Sequence, residues 1–231
     1  MNRVYYSQYK QDLILDKIFF KDHKLGFFLD IGANDGVTYS NTYFLEKNRN
    51  WSGICIEPLP KTFQKLKAYR NCILENCAVG AKSKKDIFFE ITGYSEMLSG
   101  LKRNYKEKHL NRIKDEIEKY GGSKEEIEIN TININTLLSK HNIQFIDYCN
   151  IDTEGSEFEI LRTINFKKIK IDVITVEANY KIEGLKIKTL LWLNNYAHLA
   201  TLGGDMLFVH KRMLKQHKSY KKLKQEITTL I

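Results

Sequence analysis

Proline is nearly missing from this 231-residue sequence, which has two, Pro58 and Pro60. No proline-rich or Gly/Ser-rich stretch reads as a linker, so residues 1–231 are expected to form a single domain. Long apolar runs are missing too. No segment approaches the roughly 20 residues of a membrane span, and the stretch Met1 to Gln8 lacks the apolar core of a signal peptide. The cysteines Cys55, Cys72, Cys77 and Cys149 form no C-x-x-C pair and sit in apolar, strand-like stretches. They read as buried, reduced thiols, which points to a cytoplasmic protein. His23, His109, His141, His198, His210 and His217 show no H-x-x-x-H or Cys/His pattern, which argues against zinc. No G-x-G-x-x-G, no P-loop lysine and no Ser/His/Asp arrangement stands out, which disfavours dinucleotide binding, nucleoside-triphosphate binding and acyl transfer.

Positive charge is abundant but uneven. The net charge is +9, and residues 211–231 hold seven Lys/Arg against one acid, Glu226, so this tail supplies +6 of it. Such a tail could meet RNA, an anionic membrane surface or an acidic partner. A solvated terminal helix with a charged face is the simpler expectation. Tyr220 is the one aromatic of the tail, which argues against base stacking and makes nucleic acid a disfavoured partner.

Apolar runs of strand length alternate with amphipathic segments of helix length. The expected strands are 27–31, 53–57, 72–79, 145–151 and 172–177, with helices over 39–47, 61–69, 156–163 and 185–194. Residues 197–202 and 206–210 read as a closing hairpin around Gly203-Gly204-Asp205, with Asp205 in an Asx-type turn. This order implies an α/β fold with a mostly parallel sheet, in which ligands bind at the carboxyl ends of the strands. Two alternating stretches, 87–91 and 128–134, flank an insertion at about 93–127, helix-prone over 104–120 and ended by Gly121-Gly122. It reads either as a lid that selects the acceptor or as a mobile surface insertion.

Asp30-x-Gly32-x-x-x-Gly36 follows the first strand. Gly32 permits a tight turn and a close ligand approach, and a helix N-terminus just beyond would offer free N–H groups to a carboxylate. Glu57 ends the second strand, where a carboxylate can accept hydrogen bonds from both hydroxyls of a ribose.

With Ser7-Gln8-Tyr9-Lys10-Gln11-Asp12, Phe28 to Gly36, Gly53 to Pro58, Asn76-Cys77-Ala78-Val79-Gly80 and Asn150 to Glu157 in this order, the chain resembles the FkbM-type family of S-adenosylmethionine-dependent methyltransferases. The resemblance implies a Rossmann-like class I methyltransferase fold, a seven-stranded mostly parallel sheet with a C-terminal antiparallel hairpin. It places Asp30, Gly32, Asn34 and Gly36 around the methionine half of the cofactor and gives Glu57 the ribose. Pro58 would shape the turn beside the adenine, with Ala78 and Val79 near it. Gln8, Gln11 and Asp12 would either fold over the bound molecules or cap a helix. The implied reaction is O-methylation of a sugar, a glycan or another small-molecule hydroxyl. An RNA-modifying methyltransferase or an RNA-binding protein using the basic tail is the alternative.

Activating a hydroxyl needs a general base or a metal ion. Two acidic clusters sit where this chemistry would occur, Asp152 to Glu157 and Glu177-Ala178-Asn179. Asp152 and Glu177 are the expected catalytic residues. By analogy with catechol-type O-methyltransferases, Asp152, Glu177 and Asn179 would hold Mg2+ or Mn2+ through oxygen. Ser156-x-x-Glu159 reads as a capping box, and Glu154 and Glu157 as acids that favour a helix N-terminus.

Overall fold

The computed structural model describes residues 3–21, 23–216 and 219–231, so His217 and Lys218 of the tail lie outside the described residues. The strands are β1 (Phe27–Ile31), β2 (Ser52–Ile56), β3 (Ile73–Glu75), β4 (Ala78–Gly80), β5 (Lys84–Ile91), β6 (Gly100–Leu101), β7 (Lys124–Asn133), β8 (Phe145–Ile151), β9 (Lys170–Glu177), β10 (Tyr196–Leu202) and β11 (Asp205–His210). The helices are α1 (Gln11–Ile14), α2 (Tyr43–Arg49), α3 (Pro60–Tyr69), α4 (Glu107–Tyr120), α5 (Ile134–Lys140), α6 (Glu157–Thr163), α7 (Lys181–Leu193), α8 (Lys211–Gln216) and α9 (Tyr220–Leu230). No described helix is long and apolar enough to cross a membrane.

A seven-stranded sheet runs in the order β10-β11-β9-β8-β1-β2-β3, with β11 antiparallel to its neighbours β9 and β10. This is the expected Rossmann-like architecture, a mostly parallel sheet closed by an antiparallel hairpin. The central strands are nearly continuous apolar runs because helices cover both faces. Alternate residues feed the two layers. Leu29 and Ile31 pack with α5, α6 and α7, while Phe28 packs with α2, α3 and α9. The chain moves from β1 to β2 on one side and returns to β8 on the other, opening a crevice between the carboxyl ends of β1 and β8.

A second sheet, ordered β4-β7-β5-β6, holds the stretch the sequence left unread. Phe88 points to one face of β5, with Leu59, Ala78, Leu101 and Ile129. Phe89 points to the other, with Ile91, Leu98 and Ile113 of α4. The insertion at 93–127 is therefore packed on a core of its own, not a loose surface loop. The run 72–79 is two strands, not one. Asn76 turns the chain between them by donating its side-chain amide to Glu57 O at 2.8 Å and Pro58 O at 3.0 Å. β4 then leaves the main sheet and pairs in parallel with residues 131–133 of β7.

The tail folds as a docked helix. Leu223 and Ile227 of α9 are buried, and Lys10 Nζ donates to Leu230 O at 3.0 Å and Ile231 O at 2.7 Å. Cys55, Cys72, Cys77 and Cys149 are free thiols. His210 ends β11 at the sheet edge opposite the crevice and accepts Arg212 N–H at 3.1 Å.

Candidate functional site

A cavity of about 480 Å³ opens along the carboxyl ends of β1, β2, β8 and β9 and continues under the second sheet. Gln8, Asp30, Gly32, Asn34, Glu57, Pro58, Ala78, Val79, Asp152, Glu177 and Asn179 all line it. Eight carboxylates line it against two lysines, Lys61 and Lys65, so an otherwise basic chain encloses an acidic pocket.

At one end lies the β1 turn. Gly32 has φ +87°, and a Cβ there would sit 1.7 Å from the Asp152 carbonyl oxygen. Its glycine is needed as much for the β8 backbone as for a ligand. Gly36 does not line the cavity. A Cβ on it would meet Leu66 and Arg70, and its carbonyl accepts Arg70 Nη1–H at 3.1 Å, so it is a packing residue for α3. Nor does a helix start at the turn. Residues 34–42 form a loop, with Asp35 accepting Val37 N–H and Thr38 N–H at 2.8 Å each, and α2 begins at Tyr43.

That loop is tied down by a buried network that joins residues far apart in the chain. Asp30 Oδ2 accepts Thr42 Oγ1–H at 2.5 Å and Oδ1 accepts Asn150 Nδ2–H at 2.9 Å. Asn150 Oδ1 accepts from Asn41 Nδ2 at 2.9 Å and Thr175 Oγ1 at 2.8 Å. Buried Arg70 donates to Thr42 Oγ1 at 2.9 Å and pairs with Glu46 at 2.6 Å. One signal was available: Asn150, Thr175 and Arg70 are polar residues inside or beside apolar runs, and buried polar groups need partners.

Glu57 is buried, and its carboxylate accepts Asn34 N–H at 3.0 Å and Leu59 N–H at 2.8 Å. Burial nonetheless pushes its pKa up to about 7, with the two backbone donors opposing the shift and Asp30 adding to it.

The acid cluster begins beside the β1 turn, where the Asp152 backbone adjoins Gly32. One carboxylate oxygen from each of Asp152, Glu154 and Glu177 lies within 4.8 Å of the others. Glu157 builds the turn that presents them by accepting Thr153 N–H and Oγ1–H, both at 2.8 Å, and Gly155 N–H at 3.0 Å. Glu154 is thereby held at φ +55°, a conformation uncommon for a residue with a side chain. The antiparallel register sets Asp205 opposite Glu177. Burial pushes Glu154 up to about 8, reinforced by Asp152 and Glu157. Burial pushes Glu177 up to about 9, reinforced by Glu154 and Glu157. Burial, then Glu177 and Asp205, holds Asp152 well above the usual carboxylate range. Three hard oxygen donors this close suit a divalent cation.

Several expectations change here. Glu154, read as a helix-favouring acid, stands beside Asp152 and Glu177, while Asn179 lines the same cavity and its side chain donates to Glu177. The capping box does not form. Ser156 Oγ accepts Asn104 Nδ2–H at 2.5 Å, and Glu159 reaches away to Ala81 N at 2.8 Å and Arg103 at 2.9 Å. Asp205 makes no Asx turn. It is buried at the start of β11 and accepts Gln11 Nε2–H at 2.6 Å. Asp12 caps the N-terminal turn by accepting Tyr6 N–H at 2.5 Å and Ser7 N–H at 3.2 Å, while Gln8 and Gln11 face the cavity.

The sequence profile of the methyltransferase FkbM domain matches residues 30–214. No curated protein matches the chain. Among solved structures, the methyltransferase FkbM from Methylobacillus flagellatus KT is 13% identical, with a TM-score of 0.48 over 84% of this chain and 47% of that one. The precorrin-6y C5,15-methyltransferase from Geobacter metallireducens GS-15 is 12% identical, with a TM-score of 0.40 over 90% of each chain. The N-terminal domain of human METTL16 in complex with SAH is 13% identical, with a TM-score of 0.42 over 85% of this chain and 66% of that one. The chain spans about half the length of the first of these.

Proposed function

The chain belongs to the FkbM methyltransferase family, and from that premise we propose that it transfers the methyl group of S-adenosylmethionine to a hydroxyl of a sugar, a glycan or another small-molecule acceptor. The family makes it a methyltransferase that uses S-adenosylmethionine. One observation carries the finer reading: a single cavity joins the β1–β2 edge, with Gly32 and Glu57, to the carboxylates of Asp152, Glu154 and Glu177. The sulfonium of the donor makes its methyl carbon electrophilic and leaves as a neutral thioether.

The residues divide the remaining work. Glu57 accepts from the ribose hydroxyls, and Pro58, Ala78 and Val79 flank the adenine. Asp30 holds the loop beneath the methionine half through Thr42 and Asn150. At the acid cluster Asp152 or Glu177, in its ionised form, takes the proton that the acceptor hydroxyl loses as the methyl bond forms. Burial holds both in the neutral form, so a bound cation or a rise in pH is what would free the base. Asp152, Glu154 and Glu177 would hold a divalent cation such as Mg2+ or Mn2+, which would acidify a bound hydroxyl. The excess of carboxylates in the cavity favours a cationic donor and a neutral acceptor, and disfavours the phosphates of RNA.

Calorimetric titration with S-adenosylmethionine tests the donor. Wild type is expected to bind, and Glu57→Gln to bind roughly ten- to a hundredfold more weakly, the worth of hydrogen bonds to a charged acceptor. Because free Glu57 titrates near pH 7 and binding favours its ionised form, wild-type affinity should fall up to about tenfold per unit below that pH. Glu57→Gln should lack this dependence. No binding by the wild type at any pH would sink the proposal. Mass spectrometry of glycan and metabolite pools with labelled donor then identifies the acceptor.

A further inference from the structure

Helix α7 is apolar on two sides. Ile187 and Leu191 are fully buried in the core. Ile182, Leu185, Trp192 and Leu193 point outward, exposed by 74%, 66%, 64% and 66%. At about 100° per residue these four fall within one arc of roughly 100°. Lys181 and Lys188 border that arc on one side and Lys186 on the other, all exposed. The one acid of the helix, Glu183, is half-buried.

The basic apolar surface continues past the end of α7. A groove of about 470 Å³ between α7, the edge strand β10 and α9 is lined by Trp192, Tyr196, Phe208 and Tyr220, with Lys188 and Lys211. No carboxylate lines it. Lys211 Nζ lies 5.9 Å from the centre of the Trp192 ring, and Lys224 Nζ 5.1 Å from that of Tyr220. Lys221 and Lys222 extend the positive surface along α9. Aromatic neighbours that the tail lacks in sequence are thus supplied by α7 and the sheet.

The geometry points to an anionic membrane surface as the partner of this face, with α7 lying flat in the interface and not spanning it. Leucine and isoleucine would enter the acyl boundary, Trp192 would sit at headgroup level, and the bordering lysines would reach lipid phosphates. Two other occupants fit less well. A second copy of the chain would set the lysine borders of one protomer against those of the other. RNA would stack on Trp192 and Tyr220 but leave Ile182, Leu185 and Leu193 without a partner.

Co-sedimentation of the full chain with lipid vesicles tests this independently of methyl transfer. Vesicles of phosphatidylcholine with phosphatidylglycerol are expected to bind it, vesicles of phosphatidylcholine alone far less, and rising salt should weaken the binding. Each of Lys181→Gln, Lys186→Gln and Lys188→Gln should weaken it by about fivefold. Leu185→Ser with Trp192→Ser should remove most of it while leaving S-adenosylmethionine affinity unchanged. Trp51 is 3% exposed, so a blue shift of tryptophan emission on vesicle addition reports Trp192. Absence of binding to anionic vesicles at low salt overturns the inference, as does wild-type binding by the double variant. A dimer lost in Trp192→Ser would reassign the face to a second copy. An RNA oligonucleotide complex lost in the same variant, without vesicle binding, would reassign it to RNA.

Discussion

Gly32→Ala is expected to abolish S-adenosylmethionine binding and to lower the melting temperature by roughly 10 °C. Two effects combine at this position. The backbone has φ +87°, which an alanine adopts only under strain. The new Cβ would also overlap the Asp152 carbonyl oxygen, 1.7 Å away. Neither side can yield cheaply. Asp152 N–H donates to Ile31 O at 3.0 Å, and β1 is paired with β8 at Asp30 with Asn150 and Ile31 with Ile151. Relieving the overlap therefore means parting the two strands that form the crevice. A cost of about 3 kcal/mol follows from strain plus overpacking.

Gly121→Ala supplies the control. Gly121 also has a positive φ, +77°, but a Cβ there would meet nothing within 4 Å. With ψ 173° this is a backbone region nearly confined to glycine, so its cost should be that of conformation alone, about 1–3 kcal/mol. Thermal unfolding of both variants separates the two contributions. Equal melting temperatures would show that the close approach of β1 to the Asp152 backbone carries no energy.

Asp152→Asn and Glu177→Gln are each expected to lower kcat by roughly 10²- to 10⁴-fold, the usual worth of a positioned acid or base. Donor affinity should change less in Glu177→Gln than in Asp152→Asn, because Asp152 adjoins the β1 turn through Gly32 and Ile31. The same cluster makes a prediction about cations. A saturating divalent cation, at about a hundred times its Kd, should stabilise the wild type by about 2.7 kcal/mol. Glu154→Gln should reduce that gain, since it removes one of the three converging oxygens.

The sign of the pH dependence is fixed by the raised acids. Between ordinary carboxylate values and about 8 to 9, native Glu154 and Glu177 keep protons that the unfolded chain has released. Stability contributed by their neutral forms is thus lost as pH rises through that window. A bound cation replaces those protons, so its stabilising effect should grow over the same range. Melting curves at several pH values, with Mg2+ and after chelation, measure this. Activity unchanged by exhaustive chelation would remove the cation and leave Asp152 and Glu177 as proton acceptors alone.

Much of the cavity lining was legible because its residues lie at the ends of apolar strands. Asp30, Glu57, Asp152 and Glu177 each follow a buried run, and the rule that ligands gather at carboxyl edges singles them out. At Gly36 a glycine spaced after a turn suggests ligand approach, whereas Arg70 and Leu66 fill the space a side chain would take. Ser156 and Glu159 matched a local capping pattern, yet distant partners, Asn104 and Arg103, captured both side chains. Glu154 and Asp205 were assigned local roles for the same reason: a neighbouring helix start or turn is visible along the chain, and a facing strand is not.

The alternation of apolar and polar residues was sufficient to determine the α/β order, the parallel strands and the carboxyl edge, because burial on a strand or helix repeats with a short, local period. Tertiary structure alone decided what stands beside what. Pairing of β4 with β7 turned an unread insertion into a second sheet. Register between β9 and β11 brought Asp205 to Glu177. Helix α7 lent its tryptophan to the basic tail. Each of these joins segments far apart in the chain, and such joins are set by the packing of whole layers, which no local period encodes.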